Sequence, residues 1–315
     1  MNRKMEKGRL FKIYKGERPK VLLLGNGIPR AFGGGESWNE LLKKISDKSY
    51  SFTITDDMPM PLKATLLSNN KLKSKLEELV DSKWGLSVKP KEKEFLQKLL
   101  ALDFDYILTT NYSCEIECAL LNMKEITRNH IKERRIHYSD GMQTKFLIKT
   151  CNYFDDRNLS VWHIHGDVYS SETIALDNKY YGKLIGKYQE RINEKKGYAN
   201  VCKSKESQEI TSWIDAFLLG DLYILGFGMN FSETDLWWLL EYKSNSQDKI
   251  FGETVFLDKT PSKIEKGSTQ WCKRELMKIW NVTIKDCSYE GNDYKVFYKK
   301  AYECLKEELG ERTKK

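Results

Sequence analysis

The chain has 315 residues, 40% of them hydrophobic and 12% aromatic, with 53 basic and 45 acidic residues for a net charge of +8. That length and apolar content suffice for one large core or two modest ones and exclude a mostly disordered chain. Lys-rich stretches such as KLKSKLEEL (71–79) and KPKEKEF (89–95) interleave with Glu. They read as solvated helix faces, so direct nucleic-acid binding is not expected.

The opening MNRKMEKGRLFKIYKG carries charges and no apolar core, so no secretory signal is expected. KVLLLGNG (20–27) is an apolar run ending in two glycines, which predicts a buried parallel strand and a tight turn. ESWNELLKKI (36–45) predicts a helix: Ser37 and Glu40 form an S-x-x-E capping box, and Trp38, Leu41, Leu42 and Ile45 recur at helical spacing. Strand, glycine turn and helix open a nucleotide-binding α/β unit. Residues 47–90 are polar and less regular and predict an inserted helical piece.

A second unit follows, with a helix over 92–102, a strand over 104–110 and a helix over 113–121. Cys114 and Cys118, four apart, fall on one helix face as small apolar residues. Residues 122–160 are irregular and polar, with a further insertion expected over 122–158. LSVWHIHG (159–166) is another short strand, and 176–192 and 206–220 are expected helices. DLYILGFGM (221–229) is a strand and SETDLWWLLEYK (232–243) the helix behind it. The longest apolar stretch, 213–229, is broken by Asp215, Asp221 and glycines and is not a membrane span. ETVFLD (253–258), the helix 269–279 and a C-terminal helix over 294–309 complete the set. Alternating strands and helices predict an α/β fold. We expect a Rossmann-like parallel sheet with helices on both faces and a small inserted helical subdomain. It forms one domain over 1–290, followed by a C-terminal helix and tail at 291–315. The seven cysteines contain no C-x-x-C pair, so a zinc ribbon is not expected, and reduced thiols in a cytoplasm are.

Ligands of open parallel sheets bind beyond the carboxyl ends of the strands. Four strands here end in Gly25-Asn26-Gly27, Thr109-Thr110-Asn111, His165-Gly166-Asp167 and Gly226-Phe227-Gly228. Taken singly, the glycines also read as turns, Asn111 or Ser113 as a helix N-cap, and His165 as a structural histidine.

In this order the set resembles the sirtuin family of NAD-consuming enzymes. The family's Gly-Ala-Gly matches Gly25, Asn26 and Gly27. Its Thr-Gln-Asn-x-Asp matches Thr109, Thr110, Asn111, Tyr112 and Ser113, and its His-Gly matches His165 and Gly166. The late Gly-Thr/Ser-Ser matches Gly226, Phe227 and Gly228. GGGESWNELL and GFGMNFSETDLWWLLE are similar to the branch found in bacterial anti-phage systems. The four-cysteine zinc module of the deacylases is absent, Ser113 stands where the motif has Asp, and Asn26 replaces a small Ala, where its amide would protrude toward the ligand.

The resemblance implies an NAD glycohydrolase, with NAD as substrate and no metal. It implies Asn111 and His165 as catalytic residues, and Gly25, Asn26, Gly27, Ser37, Thr109, Thr110, Ser113, Gly226, Gly228 and Asn230 as NAD-binding residues. It also implies a homo-oligomer, with an infection-sensing partner such as a hexameric ATPase. Gly25 and Gly27 would let backbone N–H groups approach the pyrophosphate. Cleaving ribose C1′ from a pyridinium needs a group that aligns water and ribose more than it needs a strong acid. The Asn111 amide, donor and acceptor at once, suits this, and His165 suits a base. Both are expected at a solvent-reached crevice.

Three other readings stay open. HIHGD gives His163, His165 and Asp167 the H-x-H-x-D spacing of binuclear metallohydrolases, although Val168 stands where that pattern wants a further His. A non-catalytic sensor of NAD or ADP-ribose is the second, and an NAD-dependent protein deacylase the third. In DLWWLLEY, Trp237 and Trp238 are about 100° apart on a helix, which predicts either one in the core and one at a subunit contact, or both buried.

Overall fold

The computed structural model describes residues 9–46, 58–69, 71–138, 148–154, 158–201, 203, 205–245, 250–259, 264–289, 291 and 293–312. Its strands are β1 (Leu10–Phe11), β2 (Lys20–Leu24), β3 (Tyr106–Thr109), β4 (Arg135–His137), β5 (Thr150–Phe154), β6 (Leu159–His163), β7 (Gln208–Glu209), β8 (Asp221–Leu225), β9 (Thr254–Asp258) and β10 (Val282–Asp286). Eight of them form one sheet in the order β10-β9-β8-β2-β3-β6-β5-β4, while β1 and β7 pair separately. From β10 to β6 every pairing is parallel. β5 and β4 extend that edge antiparallel. In chain order, the parallel strands β6-β3-β2-β8-β9-β10 stand as 3-2-1-4-5-6, the arrangement of Rossmann-type sheets.

Each central strand is buried on both faces, which explains its unbroken apolar run. Leu22, Leu24, Ile107, Tyr223, Leu225, Val255 and Leu257 point into one apolar cluster. Val21, Leu23, Tyr106, Leu108, Leu222, Ile224 and Phe256 point into another. The first is covered by α1 (Gly27–Phe32), α2 (Trp38–Ile45), α3 (Met60–Ser68), α4 (Leu72–Asp81), α5 (Pro90–Leu100), α6 (Glu115–Leu120) and α12 (Tyr294–Arg312). The second is covered by α8 (Asn178–Glu194), α9 (Trp213–Leu219), α10 (Thr234–Ser244) and α11 (Thr269–Ile279). The period-two alternation of the strands thus fills both sides of a three-layer α/β/α domain.

The five strands expected from apolar runs are all present, as are the helices at α2, α5, α8, α10, α11 and α12. Two expectations need correction. Residues 122–158 carry a short helix, α7 (Arg128–Lys132), but also β4 and β5, which widen the sheet. Residues 206–220 split into β7 and α9. In the other expected insertion, α3 and α4 bury Ala64, Leu72, Leu76 and Val80 in the same cluster as β2 and β3. Parts of both expected insertions, 47–57 and 139–147 among them, lie outside the described residues. Trp237 is buried, and Trp238 is half-buried and stacked on Tyr242. Among the described residues no helix is long and apolar enough to cross a membrane.

Candidate functional site

The strand order reverses between β2 and β8, so the helices that follow them, α1 and α10, lie on opposite faces of the sheet, the arrangement that in such sheets opens a ligand crevice. The loops after β2 and β8 are fastened to each other. Gly25 N–H donates to the Leu225 carbonyl (3.1 Å) and Gly27 N–H to the Gly226 carbonyl (2.7 Å). A Cβ on Gly25 would lie 2.6 Å from the Gly226 carbonyl oxygen and from Phe227 Cα. A Cβ on Gly27 would lie 2.7 Å from the same oxygen. The two glycines are therefore required by loop-to-loop approach, and the N–H groups expected to face a pyrophosphate are already engaged.

Asn26 likewise departs from its expected position toward the ligand. Its Nδ2 donates to the Glu36 carbonyl, and its Oδ1 lies 2.6 Å from where a Cβ on Gly35 would be. It pins the Gly33–Gly35 loop. Ser37 caps α2, accepting the Glu40 N–H at 3.2 Å, while the Glu40 carboxylate accepts the Ser37 N–H at 2.5 Å. The capping box read from the sequence is therefore present.

At the end of β3, Thr109 is fully buried, and its hydroxyl accepts the Asn111 N–H at 3.0 Å. Thr110 and Ser113 are half-buried. Asn111 is 7% exposed. Its Nδ2 donates to Glu115 Oε1 at 2.6 Å, and its carbonyl lies 2.7 Å from His163 Nδ1. Among the described residues Asn111 Oδ1 has no hydrogen-bond partner. On its other side His163 Nε2 meets Glu117 Oε1 at 2.8 Å, and Asn152 Nδ2 donates to that same oxygen at 2.9 Å. Burial alone would lower the His163 pKa, but the Glu117 carboxylate overrides it and pushes it up to about 9. Burial would raise the Glu117 carboxyl, yet the charge and hydrogen bond of His163 hold it below the usual range. His163 is thus an imidazolium that donates from both nitrogens, one to Asn111 and one to Glu117.

His165 is only 2% exposed and so does not stand at a solvent-reached surface, contrary to expectation. Its Nε2 lies 2.9 Å from Asp235 Oδ2, which also accepts the Tyr188 hydroxyl at 2.9 Å. Its Nδ1 lies 4.0 Å from Glu233 Oε2, which accepts the Tyr181 hydroxyl at 2.9 Å. The Tyr181 ring is 5.3 Å from the imidazole. Burial opposes a charge on His165, but Asp235 and then Glu233 outweigh it and raise its pKa. Burial lifts Glu233 to about 7 against the pull of His165. Asp235 and Glu233 thus orient the imidazole and favour its charged form. Gly166 has φ +91°, and a Cβ there would collide with the Thr173 carbonyl, which explains the glycine beside this histidine.

His165, Glu233 and Asp235 each bring one ligand atom within 4.8 Å of the others. Within this set Asp235 Oδ2 accepts from His165 and Tyr188 and Glu233 Oε2 from Tyr181, while Asp235 Oδ1 has no hydrogen-bond partner among the described residues. The H-x-H-x-D residues do not converge: His163 serves Asn111 and Glu117, His165 serves Asp235, and Asp167 pairs with Arg135 at 2.5 Å.

Beyond β8, Gly226 has φ +69°, and the Gly228 carbonyl accepts Lys273 Nζ at 2.9 Å. Asn230 is exposed; its Oδ1 accepts the Ser232 N–H at 2.9 Å and its carbonyl accepts Trp237 Nε1 at 3.0 Å. These bonds shape the turn that delivers Glu233 and Asp235 to His165.

The structure therefore brings the glycine loops, Asn111 and His165 to the carboxyl ends of four consecutive strands, β8-β2-β3-β6. Thr109 and Asn26 support this edge from behind. Sequence reading missed Glu115, Glu117, Glu233 and Asp235. One signal was available, two glutamates flanking Ile116 in an otherwise apolar segment. No protein-family model and no curated protein matches the chain.

Proposed function

We propose that the chain hydrolyses NAD to nicotinamide and ADP-ribose, as the NAD-depleting effector of a bacterial anti-phage system. The observation that carries this reading is the row of strand ends at the switch point of a 3-2-1-4-5-6 sheet, where such sheets bind dinucleotides. The uncommitted Oδ1 of Asn111, just beyond β3, is an acceptor suited to orienting a water. His165, held by Asp235, is suited to accepting a hydrogen bond from a ribose hydroxyl and acting as base. In the reaction the C1′–N bond breaks, and its electron pair goes to the pyridinium nitrogen, giving neutral nicotinamide. Water adds to C1′ and releases a proton. Aligning water and ribose is the main demand on the protein. On the same reading the chain acts as a homo-oligomer with an infection-sensing partner such as a hexameric ATPase; this part rests on the resemblance alone.

A second reading, a sensor that binds NAD or ADP-ribose without turnover, is favoured by the burial of His165. Deacylation is a weaker alternative that acyl-lysine peptide would reveal. The test is to incubate the purified chain with NAD, alone and with the product of its neighbouring gene, and to quantify nicotinamide and ADP-ribose. Stoichiometric release of both supports hydrolysis. Saturable NAD binding with no release under either condition supports the sensor.

A further inference from the structure

We propose that Glu115 is a positioning residue that fixes which end of the Asn111 amide is presented to a ligand. The proposal rests on the reading of the crevice as an NAD site, but one arm of its test does not require turnover.

Asn111 is held at three points. Its N–H goes to Thr109 Oγ1, its carbonyl receives His163 Nδ1, and its Nδ2 donates to Glu115 Oε1 at 2.6 Å. The first two fix the backbone, while the third alone decides the orientation of the side-chain amide. A carboxylate has no proton and can only accept, so it selects the amide nitrogen and repels the amide oxygen. The oxygen is thereby turned outward, where it can accept from a water or a hydroxyl. At 2.6 Å the bond is a short, charge-assisted one.

Glu115 is 3% exposed, and its Oε2 makes no hydrogen bond among the described residues. A buried carboxylate with one oxygen unpartnered is costly to the fold. The charged and titratable groups around it are Glu92 on α5, His163 on β6, and Cys114, Glu117 and Cys118 on its own helix. Burial raises its pKa, the neighbouring Ser113 hydroxyl and the Asn111 amide pull it back, and His163 adds a smaller pull in the same direction. When Glu115 takes up a proton it can donate as well as accept, so it no longer selects the amide nitrogen alone. Either end of the amide can then be presented outward. Activity that depends on Oδ1 therefore declines as pH falls through the Glu115 pKa.

Glu115→Asp keeps a carboxylate, whereas Glu115→Gln keeps the size and offers either a donor or an acceptor. Two measurements test the idea. In the first, side-chain ¹⁵N spectra are recorded across pH, with the Asn111 amide identified by its absence in Asn111→Ala. We expect the wild-type Asn111 signal to titrate with Glu115, the Glu115→Gln signal not to titrate, and the Glu115→Asp signal to titrate again. An Asn111 signal indifferent to pH and to Glu115→Gln overturns the proposal whether or not NAD is cleaved. In the second, nicotinamide release should fall on the order of 10²-fold in kcat for Glu115→Gln, with KM little changed. Glu115→Asp should recover much of that loss, and the acid limb of the pH profile should vanish in Glu115→Gln. Equal loss in the Asp and Gln variants, or an unchanged acid limb, contradicts it. Absence of nicotinamide release from wild type counts against the NAD-hydrolysis reading and leaves the spectroscopic arm to decide the role of Glu115.

Discussion

His163 Nδ1 lies 2.7 Å from the carbonyl oxygen of Asn111, and the far side of the same ring is held by Glu117. His163 is thus part of what holds Asn111 in place, and truncating it disturbs both Asn111 and Glu117. His163→Ala removes one partner of a buried ion pair, so we expect a loss of about 3–5 kcal/mol, measured by denaturant unfolding near pH 6.

The same pair gives a signed pH dependence. The pKa of His163 is raised to about 9 in the fold, so its contribution is full below about 6.5, its ordinary value, and is lost as pH rises through about 9. Glu117 is held low, so its contribution is full above about 4.3, its ordinary value, and is lost as pH falls. Relative to the neutral double variant His163→Gln/Glu117→Gln, wild type should be most favoured between these two ordinary values. Thermal midpoints of the two proteins from pH 4 to 10 check this. A constant difference across that range contradicts the ion pair.

Glu92 should behave in the opposite sense. It is buried, and burial followed by the Glu115 charge pushes it up to about 8. Ionising it inside the fold is unfavourable, so a penalty builds as pH rises from about 4.3 through 8. Glu92→Gln should therefore stabilise the protein at pH 9 by more than about 1.4 kcal/mol, the free energy of a tenfold change in proton affinity. At pH 4 it should change stability little. Urea unfolding at the two pH values decides the matter.

The glycines of the switch point should separate into two classes. Gly25→Ala puts a methyl 2.6 Å from two backbone atoms of the β8 loop, and overpacking of this kind costs about 1–3 kcal/mol. Gly228 has nothing within 4 Å of a Cβ, so Gly228→Ala should stay within about 0.5 kcal/mol of wild type. Equal denaturation midpoints for the two variants contradict the observed contact between the loops.

The central strands were legible because both faces of each are buried, which leaves the unbroken apolar runs at 21–24, 106–108 and 222–225. β10 escaped notice because it lies at the sheet edge and only Val282 of its residues is buried. β4 and β5 escaped because Arg135, Asn152 and Thr150 carry polar contacts where a strand pattern would look for apolar residues. In the site, glycines, Asn111 and His165 could be placed because strand ends collect ligands. Glu115, Glu117, Glu233 and Asp235 could not, because an acid near a helix start reads as a solvated first-turn residue, and only tertiary contact reveals that these four are buried against imidazoles and amides.

Asn111 is proposed to act on NAD. The most direct measurement is nicotinamide release from NAD by wild type and by Asn111→Ala, each shown to be folded by its unfolding transition. We predict release by wild type and a loss of at least about 10²-fold in the variant. A well-folded Asn111→Ala protein that releases nicotinamide at the wild-type rate would contradict the account.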